Sequence, residues 1–163
     1  MGDNSIRIIL ISPGASGKDY LKNKMIQRGF RYSVSYTTRP PREGEIEGVD
    51  YYFIDKPTFL KMIENGEIRE YNCFGEMEWY YGTSKKEFEE SNLFIMTPSA
   101  IKLLTPEERQ KHFVIFLDIP EEIRLERLKK RNDADDPMRR ILTDRELFNG
   151  FKDYDLRITT PDF

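Results

Sequence analysis

The chain has 163 residues, 38% of them hydrophobic and 13% aromatic, with 26 basic against 29 acidic side chains for a formal net charge of −3. That length suits one domain around one core, and the charge balance excludes wholesale capture of nucleic acid by a basic surface. One cysteine, Cys73, excludes an intrachain disulfide and a cysteine-based metal site, and the lone histidine, His112, shows no partner for a Ser–His or zinc site.

Cys73 reads as a half-buried small residue in a reducing compartment, and His112 as a plain histidine at a strand edge. No run approaches the ~20 apolar residues that span a bilayer. Met1–Ser5 leads straight into a strand-like run, leaving no room for a signal peptide, and Ile6 stands where a myristoylation pattern needs Ser or Thr. The expected compartment is the cytoplasm.

In chain order, Ile6–Ile11 is apolar and rich in β-branched residues, the signature of a buried parallel strand. Ser12–Lys18 interrupts it, and Asp19–Gln27 carries Leu21, Met25 and Ile26 at helical spacing. Phe30–Tyr36 reads as a strand and Thr37–Asp50 as an ordered polar loop. Tyr51–Ile54 is strand-like, and Pro57–Asn65 is a helix with Phe59, Leu60 and Ile63 on one face, stopped by Gly66. Ile68–Phe74 and Trp79–Tyr81 form a small sheet, with Trp79 in a packing role, and Lys85–Glu90 opens another helix. Leu93–Met96 and Phe113–Leu117 are buried runs, each followed by a proline-containing segment. Glu121–Lys130 is a charged helix with Ile123, Leu125 and Leu128 inward, Met138–Phe148 is helical, and Leu156–Thr159 is a last strand. Strands alternating with helices predict an α/β fold of the P-loop NTPase type, a parallel sheet flanked by helices. The 51–81 sheet interrupts that alternation as a small inserted lobe of mixed β structure.

Gly17-Lys18 at the start of a helix gathers backbone N–H groups, a helix dipole and an ammonium at one point, a site for the β- and γ-phosphates of a nucleotide. Gly14 and Gly17 let the backbone curl into a nest of donors. The binding set is therefore Gly14, Ala15, Ser16, Gly17, Lys18 and Asp19. Against the usual G-x-x-x-x-G-K-[ST] pattern, Ser12 replaces the first glycine and Asp19 the hydroxyl residue. A carboxylate at position 19 can take over as the Mg²⁺ ligand, since that ion favours hard oxygens.

Ser33-Val34-Ser35-Tyr36-Thr37-Thr38-Arg39-Pro40-Pro41-Arg42-Glu43-Gly44-Glu45, followed by Gly48-Val49-Asp50-Tyr51-Tyr52-Phe53, closely resembles the GMP-binding segment of guanylate kinases. Glu70 and then Tyr80-Tyr81-Gly82-Thr83 match the next two markers of that family at comparable spacing, and the likeness runs from about Ile8 to Ile158. The resemblance implies transfer of the ATP γ-phosphoryl group to GMP or dGMP with Mg²⁺. It implies a single domain with a core of about 1–35 and 92–163, a GMP-binding lobe of about 36–91 and a lid of about 131–140. Its acceptor set is Ser35, Arg39, Arg42, Glu45, Tyr51, Glu70, Tyr81, Gly82 and Thr83. Residue chemistry points the same way. Arg39 and Arg42, on a loop stiffened by two prolines, can clamp one phosphate with their guanidinium forks, and Tyr51 and Tyr81 add hydroxyl donors. Glu70 offers paired acceptors to the N1–H and 2-amino group of guanine, a combination adenine lacks.

In that family, lid arginines neutralise the transferring group. Arg131 and Arg140, with Arg139 as substitute, are the candidates beside Lys18 and Arg39 for the catalytic set. Three departures stand out. Ile95-Met96-Thr97 replaces an Asp-x-Asp, Thr160-Pro161 replaces an asparagine near the donor base, and a final helix is missing. The uncovered sheet raises the expectation of a homodimer. Two other readings stay open: a catalytically dead guanylate-kinase-like module that binds nucleotide or phosphopeptide, and a deoxynucleotide kinase of other base preference.

Overall fold

The computed structural model describes residues 6–131 and 136–163; the readings made for Met1–Ser5 and for lid residues 132–135 fall outside them. In chain order the elements are β1 (Arg7–Ile11), α1 (Lys18–Gln27), β2 (Tyr36–Thr37), β3 (Tyr52–Phe53), α2 (Lys56–Glu64), β4 (Ile68–Phe74), β5 (Trp79–Ser84) and α3 (Lys85–Glu90). They continue with β6 (Leu93–Ile95), α4 (Pro98–Lys102), α5 (Pro106–Lys111), β7 (His112–Leu117), α6 (Glu121–Lys130), α7 (Pro137–Leu147) and β8 (Leu156–Ile158). Packing divides the chain into two compact units, a core unit of residues 1–30 with 93–163 and a lobe of residues 31–92. The division falls after residue 30 rather than 35, because the backbone of Val34 is tied to Glu87 of the lobe.

In the core unit, β1 lies between β6 and β7 in an all-parallel sheet of order β6-β1-β7-β8. Ile9, Leu10 and Ile11 are fully buried, which is why the strand is apolar on both faces rather than alternating. Two short helices, α4 and α5, occupy the proline-containing segments. Thr97 and Thr105 accept the N–H groups of Ala100 and Glu108, and a proline opens each first turn. His112 is the first residue of β7. Its Nδ1 donates to the Glu108 carbonyl and its Nε2 accepts from Arg7 Nε, which fixes a neutral ring in a packing role. Of the apolar residues of α1, Leu21 and Met25 are half-buried and Ile26 is exposed, so none closes the core as the spacing suggested.

The lobe is a mixed sheet of order β3-β2-β5-β4. Phe59 of α2 is fully buried against Tyr80 and Tyr71, ring centroids 5.3 and 6.2 Å away, whereas Leu60, expected on the same face, is exposed. Cys73 on β4 is exposed rather than half-buried. Gly82 on β5 is glycine for space, because a Cβ there would lie 2.8 Å from the Glu70 carbonyl oxygen and 2.9 Å from the Phe59 ring. Glu87 of α3 is a buried carboxylate with several donors: Val34 N–H at 3.1 Å, the Tyr52 hydroxyl at 3.2 Å and the Ser91 hydroxyl at 3.4 Å. Among the described residues no helix is long and apolar enough to cross a membrane.

Removing Glu87 leaves the Val34 N–H buried without an acceptor. Glu87→Ala is expected to lower the stability of the lobe by about 2–3 kcal/mol, with Glu87→Gln recovering part of the loss. Urea unfolding followed by the fluorescence of Trp79, which lies within the lobe, measures both.

Candidate active site

The core unit carries the phosphate loop. β1 ends at Ile11, and the chain turns through two residues of positive φ, Ala15 at 61° and Gly17 at 91°, before α1 opens at Lys18. A non-glycine residue in the left-handed region costs about 1–2 kcal/mol. Ala15 recovers much of this, because its methyl group is buried between Leu128 of α6 and Ile141 of α7, with Leu125 alongside. Ser16 is also buried and donates to the Pro13 carbonyl at 2.7 Å, while Arg127 of α6 donates to the Ala15 carbonyl at 3.0 Å. No side chain caps α1, so its first N–H groups are not spent on an N-cap. Burial pushes the Lys18 ammonium below the ordinary lysine value, opposed by Asp19 and reinforced by Arg140.

Asp19 stands in the first turn of α1 with its carboxylate 69% exposed and 3.7 Å from Lys22. The described residues contain no group of three or more His, Cys, Asp or Glu that could cage a metal. One accessible carboxylate at the phosphate end of a helix fits magnesium, which takes one or two carboxylates and completes its shell with phosphates and water. At the two positions where the resemblance expects aspartates, Ile95 ends β6 and Thr97 caps α4. Of the lid candidates, Arg140 lies against the loop, its Nη2 3.4 Å from where a Gly14 Cβ would be. Arg131 is exposed and borders a cavity of about 440 Å³ with Gly17, Tyr20, Arg127, Pro161 and Phe163. Sequence periodicity missed Arg127 and the buried Arg124, because long cationic side chains on a charged helix read as solvated.

The lobe carries the second constellation. Arg39 is buried and bound on several sides: Nε donates to the Tyr81 hydroxyl at 3.1 Å, and Nη1 donates to the Pro40 carbonyl at 2.8 Å. Its fork engages Glu45 bidentately at 2.8 and 2.9 Å. The fork expected to grip a phosphate is thus already paired, since a buried guanidinium needs a counter-charge. Glu45 also accepts the Arg42 N–H, so this residue holds the loop and Arg39 in place. Thr37 accepts the Arg39 N–H and donates to the Tyr80 carbonyl, and Thr38 accepts the Tyr80 N–H, which anchors the loop to β5. The Tyr51 ring stands edge-on to Tyr81 at 5.9 Å and 5.5 Å from the Arg39 guanidinium carbon, while Arg42 is exposed. Two residues along β5, Thr83 pairs with Glu70 in register and lies 3.5 Å from the Ser35 hydroxyl. Burial raises the Glu70 carboxyl above the ordinary glutamate value, opposed by its bond to Thr83. The structure therefore brings Arg39, Tyr51 and Glu45 together around Tyr81 of β5, and Glu70 and Ser35 around Thr83, two residues further along.

A buried parallel strand that opens through a left-handed turn into a lysine-headed helix defines a P-loop nucleotide-binding domain, here with a mixed β lobe inserted after α1. The family model described as guanylate kinase matches residues 4–162, nearly the full length. The chain belongs to the guanylate kinase family. It is 42% identical over 86 residues to a guanylate kinase of Lactobacillus acidophilus, a segment covering 51% of this chain and 41% of that protein. It is 36% identical over 150 residues to that of Onion yellows phytoplasma, covering 80% and 66%. The crystal structure of guanylate kinase from Anaplasma phagocytophilum superposes with a TM-score of 0.67 at 28% identity, covering 97% of this chain and 78% of that one. Among the relatives, the matched segments with the Lactobacillus acidophilus and Rhodopseudomonas palustris enzymes span only 41% and 35% of those proteins.

The Arg39–Glu45 pair carries a pH signature. Arg39 holds the Glu45 carboxyl below its ordinary range, so the pair's contribution is complete above the unfolded glutamate value, about 4.3. It is lost as pH falls through the lower folded value. Glu45→Gln is expected to flatten the acid limb of lobe stability and to cost about 2 kcal/mol at neutral pH; urea midpoints between pH 3 and pH 7 measure both.

Proposed function

We propose that this chain is a nucleoside-monophosphate kinase that transfers the γ-phosphoryl group of ATP to GMP or dGMP, giving ADP and the guanine nucleoside diphosphate. The observation that carries the reading is the arrangement on β5. Tyr81 belongs to the cluster around the Arg39–Glu45 pair, beside the exposed Arg42, and Thr83, two residues away on the same face, belongs to a carboxylate and hydroxyl cluster. A molecule with an anionic end and a hydrogen-bonding base at the other matches that order.

In this reading the acceptor phosphate lies between Arg39, Arg42, Tyr51 and Tyr81. Arg39 supplies charge and its remaining Nη2 hydrogen, and Tyr81, whose oxygen already accepts from Arg39, supplies its own hydroxyl proton. Arg42 is the exposed arm that reaches the ligand, and Glu45 keeps Arg39 from turning away. Glu70 accepts from N1–H and the 2-amino group, and Ser35 and Thr83 flank it. A base without those donors leaves a half-buried carboxylate unmatched, which is the basis of rejection.

The donor phosphates lie on the backbone of residues 14–19 with Lys18, and Arg131 and Arg140 neutralise charge on the transferring group. Asp19 and the donor phosphates would hold Mg²⁺, which neutralises phosphate charge when bound. The cavity beside Gly17, lined by Tyr20, Arg127 and Phe163, suits the donor nucleoside. No general base is needed, because the attacking phosphate oxygen is already anionic. ATP and a guanine nucleotide are the partners of this reading, and the cytoplasm is its natural compartment.

Isothermal titration with each nucleotide separately tests the assignment. Lys18→Ala is expected to lose ATP binding and to lower turnover at least about a hundredfold while GMP affinity is unchanged. Glu70→Ala is expected to lose about a hundredfold in preference for GMP over AMP with phosphate binding retained. Unaltered base preference in Glu70→Ala would remove that residue's role. GMP binding by the unsubstituted protein without any ATP binding would instead favour a binding module.

A further inference from the structure

The phosphate loop has a partner that the proposed reaction does not use. Asp144, in the middle of α7, accepts the Gly14 N–H on Oδ2 at 2.9 Å, and the same oxygen lies 3.6 Å from Arg124 Nη1. A Cβ on Gly14 would meet that oxygen at 3.3 Å and Arg140 Nη2 at 3.4 Å, so a carboxylate and a guanidinium both press on the loop. Arg124 is 4% exposed. Its Nε donates to the Ile119 carbonyl, while its Nη1 is buried without a hydrogen-bond partner. Lys18 feels both Asp144 and Arg140.

An acidic oxygen set on a loop N–H, among Lys18, Arg124 and Arg140, has the chemistry of a phosphate oxygen. Three cations crowded around backbone donors require an anion. A carboxylate on the protein and a phosphate on a nucleotide are alternative ways of supplying it, and they cannot both hold the Gly14 N–H. We infer that Asp144 is an internal competitor for the donor polyphosphate, occupying the Gly14 N–H and partly neutralising the surrounding cations until the nucleotide displaces it. Displacement frees Arg124 Nη1 for a phosphate oxygen and obliges α7, which carries Arg140, to shift with its aspartate. Donor binding is thereby coupled to the position of a transfer-competent arginine, at the expense of affinity. The inference rests on the reading of residues 14–19 as the donor-phosphate site.

The test compares the unsubstituted protein with Asp144→Asn, Asp144→Ala and Lys18→Ala by titration calorimetry. ATP·Mg²⁺, inorganic tripolyphosphate and GMP are the titrants. Both Asp144 variants are expected to bind ATP and tripolyphosphate about tenfold more tightly, with GMP affinity unchanged. A merely structural Asp144 would give equal or weaker binding when removed, because damage to the loop does not raise affinity. Asp144→Asn keeps the shape of the side chain and can still accept from Gly14, so it remains informative if Asp144→Ala melts early. Equal or weaker ATP and tripolyphosphate binding in Asp144→Asn, with binding lost in Lys18→Ala, overturns the competitor while leaving the donor site in place. Undiminished ATP binding in Lys18→Ala overturns the donor site and the competitor with it.

Discussion

A strand buried from Ile8 to Ile11 has to turn into a helix within the few residues before Lys18, and much of the core unit is arranged around that constraint. The chain turns through left-handed Ala15 and Gly17, and several polar groups of the turn are answered from within the loop or from α6 and α7. Ser16 returns to Pro13, Arg127 of α6 reaches the Ala15 carbonyl, and Asp144 of α7 takes the Gly14 N–H. The Ala15 methyl is wedged between Leu128 and Ile141, so the same turn that shapes the loop also sets the packing of α6 on α7. Backbone satisfaction, side-chain packing and ligand chemistry here meet in one stretch of chain.

The lobe solves a different problem with the same currency of buried charge. Its sheet is small and two of its four strands are two residues long, so the buried Glu87 and the half-buried Glu45 take a part that apolar packing plays elsewhere. Glu87 gathers Val34, Tyr52 and Ser91, and Glu45 gathers Arg39 and the Arg42 backbone. Both fix backbone segments that carry proposed ligand contacts, Ser35 beside Val34 and Arg42 beside the paired Arg39. Rigidity and electrostatics are therefore inseparable in this unit: each carboxylate holds a backbone segment next to a residue of the proposed acceptor set.

Much of this was legible in the sequence. The apolar run of β1, the β4 and α6 boundaries and the glycine-lysine turn follow from local pattern, because each has a single strong physical cause. The string from Ser33 to Phe53 with Glu70 and Tyr81–Thr83 identified the family. What pattern missed has physical reasons too. The helices α4 and α5 are a single turn or little more, set by Thr-Pro caps that read equally well as turns. Arg124 and Arg127 lie on a helix dense with charge, where burial is decided by what packs against them rather than by period. The pairing of Arg39 with Glu45 is a matter of distance in a folded loop, and the Gly14–Asp144 contact links residues 130 apart in sequence. Cys73 and Leu60 are exposed where spacing suggested shelter, because the small lobe has too little volume to cover both faces of its elements.

The departures from the family pattern concentrate on the metal and donor side: Asp19 replaces a hydroxyl, and Thr97 caps a helix where an aspartate was expected. The stretch from Ser33 to Phe53, with Glu70 and Tyr80–Thr83, keeps the family's pattern. In the proposed reading one carboxylate, Asp19, takes over the metal contact of the absent Asp-x-Asp, and turnover tests that most directly. In a coupled ADP-release assay with ATP and Mg²⁺, offered GMP, dGMP, AMP, CMP and dTMP in parallel, turnover is expected with the guanine nucleotides alone. Absence of turnover with every acceptor, or equal turnover with a nucleotide lacking the guanine donors, would contradict it.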